Sequence, residues 1–333
     1  MVNWLILISL VLCFLVTFLI LPLWIKKAKE NGFVSRDMNK IGGEKVADSG
    51  GIIVILGFLT GLFFYIAFRT FYLYNREYEL ELFATISVIL LMTLLGNIDR
   101  MIGWKTGIKQ SHKFIICLIA SIPLVVINAG HSEINIPFFG LINVGLIYPL
   151  ILIPIAISGA SNGFNILAGY NGLEASMGII ILSAIGIVSY TTGSRIVAVI
   201  CFCMVFSLCA FLIFNWYPAK VFPGDALTYS VGALIAISAI LGNFERIALF
   251  FFVPYIIEGF LKLRGKLKME SFGIPKEDGS LDVPHKKFYG LEHISLWVLK
   301  KIKGKAYEWE VVYLLCGFEI LIIILGFLIF KIF

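Results

Sequence analysis

The sequence predicts an all-α, polytopic integral membrane protein of about ten transmembrane helices. Three observations carry this reading. Of 333 residues, 59% are hydrophobic and only 14% charged, where a soluble domain carries about 25% charged residues. Mean hydropathy is +0.95. Apolar runs long enough to cross a bilayer, roughly 20 residues each, recur along the whole chain. This composition excludes a soluble globular protein, a disordered chain and a disulfide-stapled secreted domain. Cys13, Cys117, Cys201, Cys203, Cys209 and Cys316 all fall inside apolar runs and form no CxxC pair, so they read as small hydrophobes. The four histidines are too scattered for a zinc motif.

The first run, 2–25, lacks a small-residue cleavage site and is followed by Lys26, Lys27 and Lys29, so it reads as a span and not as a removed signal peptide. Runs 50–68, 82–97 and 113–128 follow, then 144–158, 176–192 and 196–214. Runs 226–242 and 244–262 come next, and 311–330 closes the chain. Between the last two lies 262–310, the one polar stretch long enough to carry structure of its own, with Pro275, Pro284 and the turn-like Glu277-Asp278-Gly279-Ser280. No internal repeat is visible, and the chain reads as one membrane domain, 1–333, with 262–310 as its long loop.

The connecting segments alternate between two faces. Segments 26–49, 98–113, 159–175, 215–225 and 262–310 share one, and carry 22 of the 27 Lys and Arg residues. The other face holds Arg69, Arg76, Arg195, Arg246 and Lys331. The positive-inside rule makes the first face cytoplasmic and places both termini outside. The net charge of +6 is mostly this asymmetry and gives no reason to expect nucleic acid as a partner.

Ionisable and amide residues near membrane spans are costly and merit a functional reading. Asp37, Asp48, Asp99, Lys113, Asn162, Asn165, Asn171, Glu174 and Asp225 all fall at the cytoplasmic ends of the expected helices. A transporter would hold its polar groups near mid-span; a polar cluster at one face suits the joining of a water-soluble substrate to a lipid-embedded one. In Ser158–Glu174, Asn162 and Asn165 share a helix face and Asn171-Gly172 favours a tight turn. These amides and glycines suit close approach to phosphate oxygens, or simply an amide-capped re-entrant turn. Asp225, where an apolar helix begins, suits either an N-cap or a hard oxygen ligand for Mg²⁺. Asp99 suits a second metal-side carboxylate, an acceptor of the lipid phosphate's proton, or a surface partner of Arg100, and Lys113 a phosphate neutraliser or an interfacial anchor. Glu258 reads as a residue snorkelling to the interface.

Four segments together resemble the polyprenyl-phosphate N-acetylhexosamine-1-phosphate transferase family, in particular its archaeal and eukaryotic UDP-GlcNAc–dolichyl-phosphate branch. They are Asp37-Met-Asn-Lys40, Gly96-Asn-Ile-Asp99, Asn162-Gly-Phe-Asn-Ile-Leu-Ala-Gly-Tyr-Asn-Gly-Leu-Glu174 and Phe222-Pro-Gly-Asp225. The resemblance covers nearly the whole chain and implies a ten-helix fold with both termini outside. It also implies transfer of a hexosamine phosphate from a UDP-sugar to a polyprenyl or dolichyl phosphate, with Mg²⁺ bridging the diphosphate. On it, Asp225 and Asn165 match metal positions, and Asp99, Lys113 and Asn162 match the catalytic centre. Met38, Asp48, Gly169, Asn171 and Phe222 fall on uridine-pocket positions, with Glu174 closing the same motif as a substrate-binding residue. A homodimer is compatible with the family.

The chain departs from the family in two places. Asp99-Arg100 stands where two adjacent acids are usual; Arg100 is expected to point toward headgroups, so that an acid there would be tolerated. The stretch Glu270–Ser280 lacks the basic, His-containing sugar-recognition residues of several branches, which leaves the hexosamine open. A transporter or flippase and a catalytically weakened regulatory relative are the competing classes. The absence of an Asn-x-Ser/Thr sequon and the Ile/Lys/Phe-rich composition favour a prokaryotic, archaeal cell membrane.

Overall fold

In hydrocarbon, a single chain segment satisfies its backbone N–H and C=O groups only as a helix, so each apolar run has one solution. The computed structural model describes residues 3–103, 107–136 and 140–332. Lys105, one of the lysines behind the orientation argument, lies outside the described residues. Among them, eight helices are long and apolar enough to cross a membrane. These are α1 (Asn3–Glu30), α2 (Gly51–Phe71), α3 (Glu79–Ile102), α6 (Ile153–Ile166, entered through a π-turn at Tyr148–Leu152), α7 (Leu173–Thr191), α8 (Arg195–Asn215), α9 (Gly224–Gly242) and α13 (Glu308–Phe330).

The remaining two apolar runs form broken helices. Run 113–128 becomes α4 (Gln110–Ala120) and α5 (Ile122–Val126), and run 244–262 becomes α10 (Glu245–Phe251) and α11 (Val253–Arg264). Pro123 and Pro254 stand in the first turn of the second piece in each case, where a missing N–H is tolerated while the preceding helix must stop. The other departures from the expected boundaries lie mostly at polar ends. Run 82–97 extends to Glu79–Ile102, 144–158 to Ile166 and 311–330 back to Glu308. Hydropathy falls where side chains stop facing lipid, but the backbone ladder continues as long as polar side chains find partners inside the bundle.

The connections carry local structure that hydropathy does not signal. Strands β1 (Val34–Arg36) and β2 (Lys45–Ala47) pair antiparallel with Val34 opposite Ala47. Strands β3 (Glu133–Ile136) and β4 (Gly140–Asn143) form a second hairpin, and β5 (Ile274–Pro275) and β6 (Leu281–Asp282) a third. In the long loop, α12 (Leu291–Lys303) buries Leu291, Leu296 and Leu299 and ends on Lys300, Lys301 and Lys303, cations that suit a helix C-terminus.

Helix α9 is the axis of the bundle. Every residue from Ala226 to Ile240 is buried, as expected of a helix apolar on all sides, and it packs against α2, α3, α6, α7, α8 and α10. Its contact with α3 is backbone to backbone. A Cβ on Gly96 would stand 2.3 Å from the Ala226 amide nitrogen, so only glycine lets the two helices cross there. That crossing places Asp99, one turn on, beside Asp225. The two sets of connecting segments gather around separate cavities at opposite ends of the helices. Gly51 and Arg69 mark the two ends of α2, about 27 Å apart at 1.5 Å per residue.

Candidate active site

The cavity at the lysine-rich end measures about 600 Å³. Nine of the residues singled out in the sequence line it: Met38, Asp48, Asp99, Lys113, Asn165, Gly169, Glu174, Phe222 and Asp225. They arrive from the β1–β2 hairpin, the ends of α3, α4 and α6, the turn into α7 and the turn into α9.

At the centre, Lys113 Nζ lies 2.5 Å from Asp99 Oδ2 and 3.0 Å from Asp225 Oδ2. The ammonium also stands 5.7 Å from the centre of the Tyr229 ring, a favourable cation–π distance. Asp99 Oδ1 accepts the Ile108 amide at 2.7 Å, so its second oxygen holds the loop leading into α4. Of the three side chains Asp225 is the most open, 32% exposed against 9% for Lys113 and 12% for Asp99. Asp225 makes no helix-capping bond; its carboxylate is committed to Lys113, which removes the N-cap reading. Lys113 is likewise no interfacial anchor, since it points inward between two acids. One ammonium between two carboxylates leaves a net negative centre in a partly desolvated place, which favours a further cation.

Asn165 is fixed by α9: its Oδ1 accepts Thr228 Oγ1 at 2.6 Å and its Nδ2 donates to the Tyr229 hydroxyl at 3.4 Å. Together with Asp225 and Asp99 it supplies hard oxygen donors. Among the described residues, no group of three or more His, Cys, Asp or Glu gathers to hold a metal. A cation here would thus complete its shell with water and substrate phosphate, the habit of Mg²⁺.

Asn162 does not stand at this centre. Its Nδ2 donates to Ser158 O at 2.8 Å and approaches Cys117 Sγ at 3.7 Å. Cys117 lies one turn along α4 from Lys113, so Asn162 seats the helix that carries the lysine. Spacing put Asn162 and Asn165 on one face, but the α6 surface there divides between α4 and α9, and each amide serves a different neighbour.

Arg100 does not point toward headgroups. Its guanidinium lies 2.5 Å from Asp48 Oδ2 and donates to the Ser35 hydroxyl. Asp48 also accepts the Ser35 hydroxyl and the Ser49 amide, each at 2.5 Å. It is the clamp between α3, the hairpin and α2. The same strand region is tied to the α9 entry: Phe222 N donates to Ala47 O at 2.8 Å and Gly50 N to Phe222 O at 2.9 Å. Asp99 therefore takes Lys113 as partner, and Arg100 takes Asp48.

A second network fixes the far wall. Glu174 accepts the Gly169 amide at 2.9 Å. Gly169 adopts φ +105°, and a Cβ on it would come 2.8 Å from the Phe272 ring, so a larger residue would be both strained and blocked. Asn171 lies behind the cavity, outside its lining. Its Nδ2 donates to Asp37 Oδ2 at 3.1 Å and its amide N–H to Glu308 Oε1 at 2.7 Å. Asn39, inside the Asp37–Lys40 motif but with no role assigned to it by sequence, donates to Gly169 O at 3.0 Å and accepts the Gly273 amide at 3.1 Å. Glu308 was passed over; an acid at the start of the last apolar run was its only signal.

Glu258 does not snorkel. It is fully buried, accepts the Leu291 amide at 2.6 Å and pairs with Lys262 at 3.3 Å. Lys262 in turn donates to Ser271 Oγ at 2.5 Å, so this pair seats α12 and the 270–273 segment bearing Phe272. Nearby His293 is buried, and desolvation, then the Lys262 and His285 charges, push its imidazole down to about 4.

Comparison with known proteins supplies the identity this geometry calls for. A protein of Saccharolobus solfataricus, provisionally named a UDP-N-acetylglucosamine–dolichyl-phosphate N-acetylglucosaminephosphotransferase, is 39% identical over 319 residues, 94% of this chain and 93% of the relative. Residues 82–243 match the family described as glycosyl transferase family 4. The chain belongs to this family. The matched stretch holds the whole Asp99–Lys113–Asp225 centre and the Asn162–Glu174 motif. A Dictyostelium discoideum UDP-N-acetylglucosamine–dolichyl-phosphate N-acetylglucosaminephosphotransferase is 27% identical over 281 residues, 73% of this chain and 68% of its own. A Clostridium perfringens phospho-N-acetylmuramoyl-pentapeptide-transferase matches at 32% over 169 residues, 49% of this chain and 53% of the relative. The resemblance drawn from four motifs is thus borne out, and the chain is a multi-pass membrane member of family 4.

Proposed function

We propose that the protein transfers N-acetylhexosamine-1-phosphate, GlcNAc-1-phosphate in the first instance, from a UDP-sugar to a polyprenyl or dolichyl phosphate. The observation that carries this reading is the Asp99–Lys113–Asp225 centre, in a cavity at one membrane end of a family 4 fold. A lipid phosphate oxygen attacks the β-phosphorus, a new P–O bond forms, the bond to the UMP oxygen breaks, and UMP leaves with the electron pair. Such a step needs charge neutralisation and in-line positioning more than covalent chemistry. Asp225 and Asn165 would hold Mg²⁺, which when bound would supply Lewis-acid neutralisation of the diphosphate. Lys113 gives its charge to a phosphate when the acids find another cation. Asp99, with both oxygens engaged, holds Lys113 and the α4 entry rather than taking a proton. Met38, Gly169 and Phe222 form the walls for uridine, and the Arg100–Asp48 pair fixes the hairpin that carries Met38.

The test is direct. Membranes containing the protein, given UDP-[³H]GlcNAc, polyprenyl phosphate and Mg²⁺, are expected to yield lipid-bound label and free UMP, and to lose both with EDTA. Label only with another UDP-hexosamine would change the sugar; none with any would end the proposal. The lysine-rich end is proposed to face the cytoplasm of an archaeal cell. A cysteine at exposed Glu277, in a background without native cysteines, should react with an impermeant maleimide only in opened cells, and one at exposed Tyr74 in intact cells. The reverse pattern would invert the orientation.

A further inference from the structure

The larger cavity, about 780 Å³, lies at the opposite end of the bundle and shares no lining residue with the cavity around Asp99, Lys113 and Asp225. Its lining includes Arg69, from the last turn of α2. Arg69 is 7% exposed, yet among the described residues no carboxylate lies within ion-pair distance of it. Its polar side-chain partners among the described residues are neutral: Asn75, whose Oδ1 accepts from Nη2 at 2.6 Å, and the Tyr65 hydroxyl, the guanidinium standing 5.7 Å from the centre of the Tyr65 ring. Two carboxylates, Glu77 and Glu81, line the same cavity without pairing with it, and Glu79 accepts the Thr70 hydroxyl at 2.9 Å instead. Arg195, at the start of α8, adds a second cation to the wall.

A buried guanidinium without a counter-charge is costly. Its planar fork of five donors matches phosphate oxygens in pairs. Among the described residues, the buried cations of the other end are both paired with acids: Lys113 with two aspartates, Lys262 with Glu258. The wall beside Arg69 is amphipathic, with Leu5, Ile200 and Leu241 in the same cavity. The end of α2 and the adjoining loop expose Phe71, Tyr72 and Tyr74 at 77%, 65% and 87%, and tyrosines settle at headgroup depth.

We propose that this cavity is a binding site for a phosphate-bearing ligand, with Arg69 as the anchor for the phosphate oxygens. The ligand is either a phospholipid headgroup or a soluble phosphate, and the inference does not depend on the transfer reaction proposed above.

The test uses the full chain in detergent, in a Lys113→Met background that weakens phosphate binding at the other end. Thermal unfolding is followed with inorganic phosphate in one arm. The second arm uses dioleoylphosphatidylglycerol, with dioleoylphosphatidylcholine as the matched control. At about ten times its dissociation constant a bound ligand should raise the midpoint by about 2 °C. A shift with phosphatidylglycerol alone identifies a headgroup site, and a shift with phosphate identifies a soluble ligand. Arg69→Gln should abolish whichever shift occurs, and Arg69→Lys, which keeps the charge and loses the fork, should at least halve it. Should Arg69→Gln not fold, Arg69→Lys and Arg195→Gln carry the test. No shift with either ligand, or shifts undiminished in the foldable Arg69 and Arg195 variants, would overturn the site.

Discussion

The two ends of the bundle handle buried charge in opposite ways. At the lysine-rich end, Lys113 bridges Asp99 and Asp225, Arg100 grips Asp48, and Lys262 grips Glu258. At the other end Arg69 is as buried as Lys113, but its hydrogen-bond partners among the described residues are neutral, an amide and a phenol, and the carboxylates that share its cavity, Glu77 and Glu81, do not pair with it. An end whose charges are already matched is built to exchange partners: an incoming cation takes the carboxylates, and the freed ammonium takes a phosphate. An end whose buried guanidinium has no ion-pair partner among the described residues has room for an anion that binds more closely than Glu77 and Glu81, which share the cavity. The same fold thus presents a site where ligands compete with internal ion pairs and a site where nothing needs to be displaced.

The largest effect expected from breaking the matched end is at Asp225. Asp225→Asn should lower transfer about a thousandfold or more while leaving the purified protein folded; wild-type turnover would remove Asp225 from the centre. Lys113→Met separates the exchange idea from a merely structural lysine. Transfer should fall about a hundredfold, yet Mn²⁺ binding, read by electron paramagnetic resonance, should tighten by at least about fivefold, since metal and ammonium no longer compete. Weaker Mn²⁺ binding in that variant would show that the lysine supports the metal site instead of contesting it. Arg100→Asp comes next. The family's pair of acids suggests that it be tolerated, but the structure sets the new carboxylate against Asp48. The KM for UDP-sugar should rise about tenfold, with a smaller change in kcat. Unchanged KM would detach the hairpin from nucleotide binding.

The smallest effect should come from charge pairs at the same end but outside the cavity. Asp282 pairs with Lys300 and with Lys276, and is about a third exposed. The hydrogen bond from Lys300, then that from Lys276, holds its carboxyl below the ordinary range. A depressed carboxyl contributes stability that is present above its unfolded value of about 3.9 and is lost as pH falls through its folded value. Asp282→Asn should therefore cost less than about 1 kcal/mol at neutral pH, and wild type and variant should converge in strong acid. A loss of several kcal/mol, the cost of breaking a buried pair, would mean that burial is not what sets the two classes apart.

Much of this was legible in the sequence because hydropathy is a local property. All ten apolar runs became helices or broken helices, and nine of eleven chosen site residues line one cavity. Proline positions foreshadowed the breaks in α4–α5 and α10–α11, though run length hid them. Asn39 and Glu308 were given no role because their work is done across 130 and 137 residues of chain, with Gly169 and Asn171. Asn162 and Glu258 were misplaced for the same reason: a residue's depth and neighbour depend on which side of its helix meets which other helix.

By itself, the sequence determined that the chain lives in a membrane, that its cations gather at one set of connections, and which motif residues belong together. Those follow from composition and order along the chain. Only the tertiary structure decided the pairing: Lys113 with two acids from different helices, Arg100 with Asp48 and not Asp99, Arg69 with no acid among the described residues. Pairing is set by helix rotation and by close crossings such as Gly96 against Ala226, where a fraction of an ångström fixes which side chains face each other, and no local pattern encodes that distance.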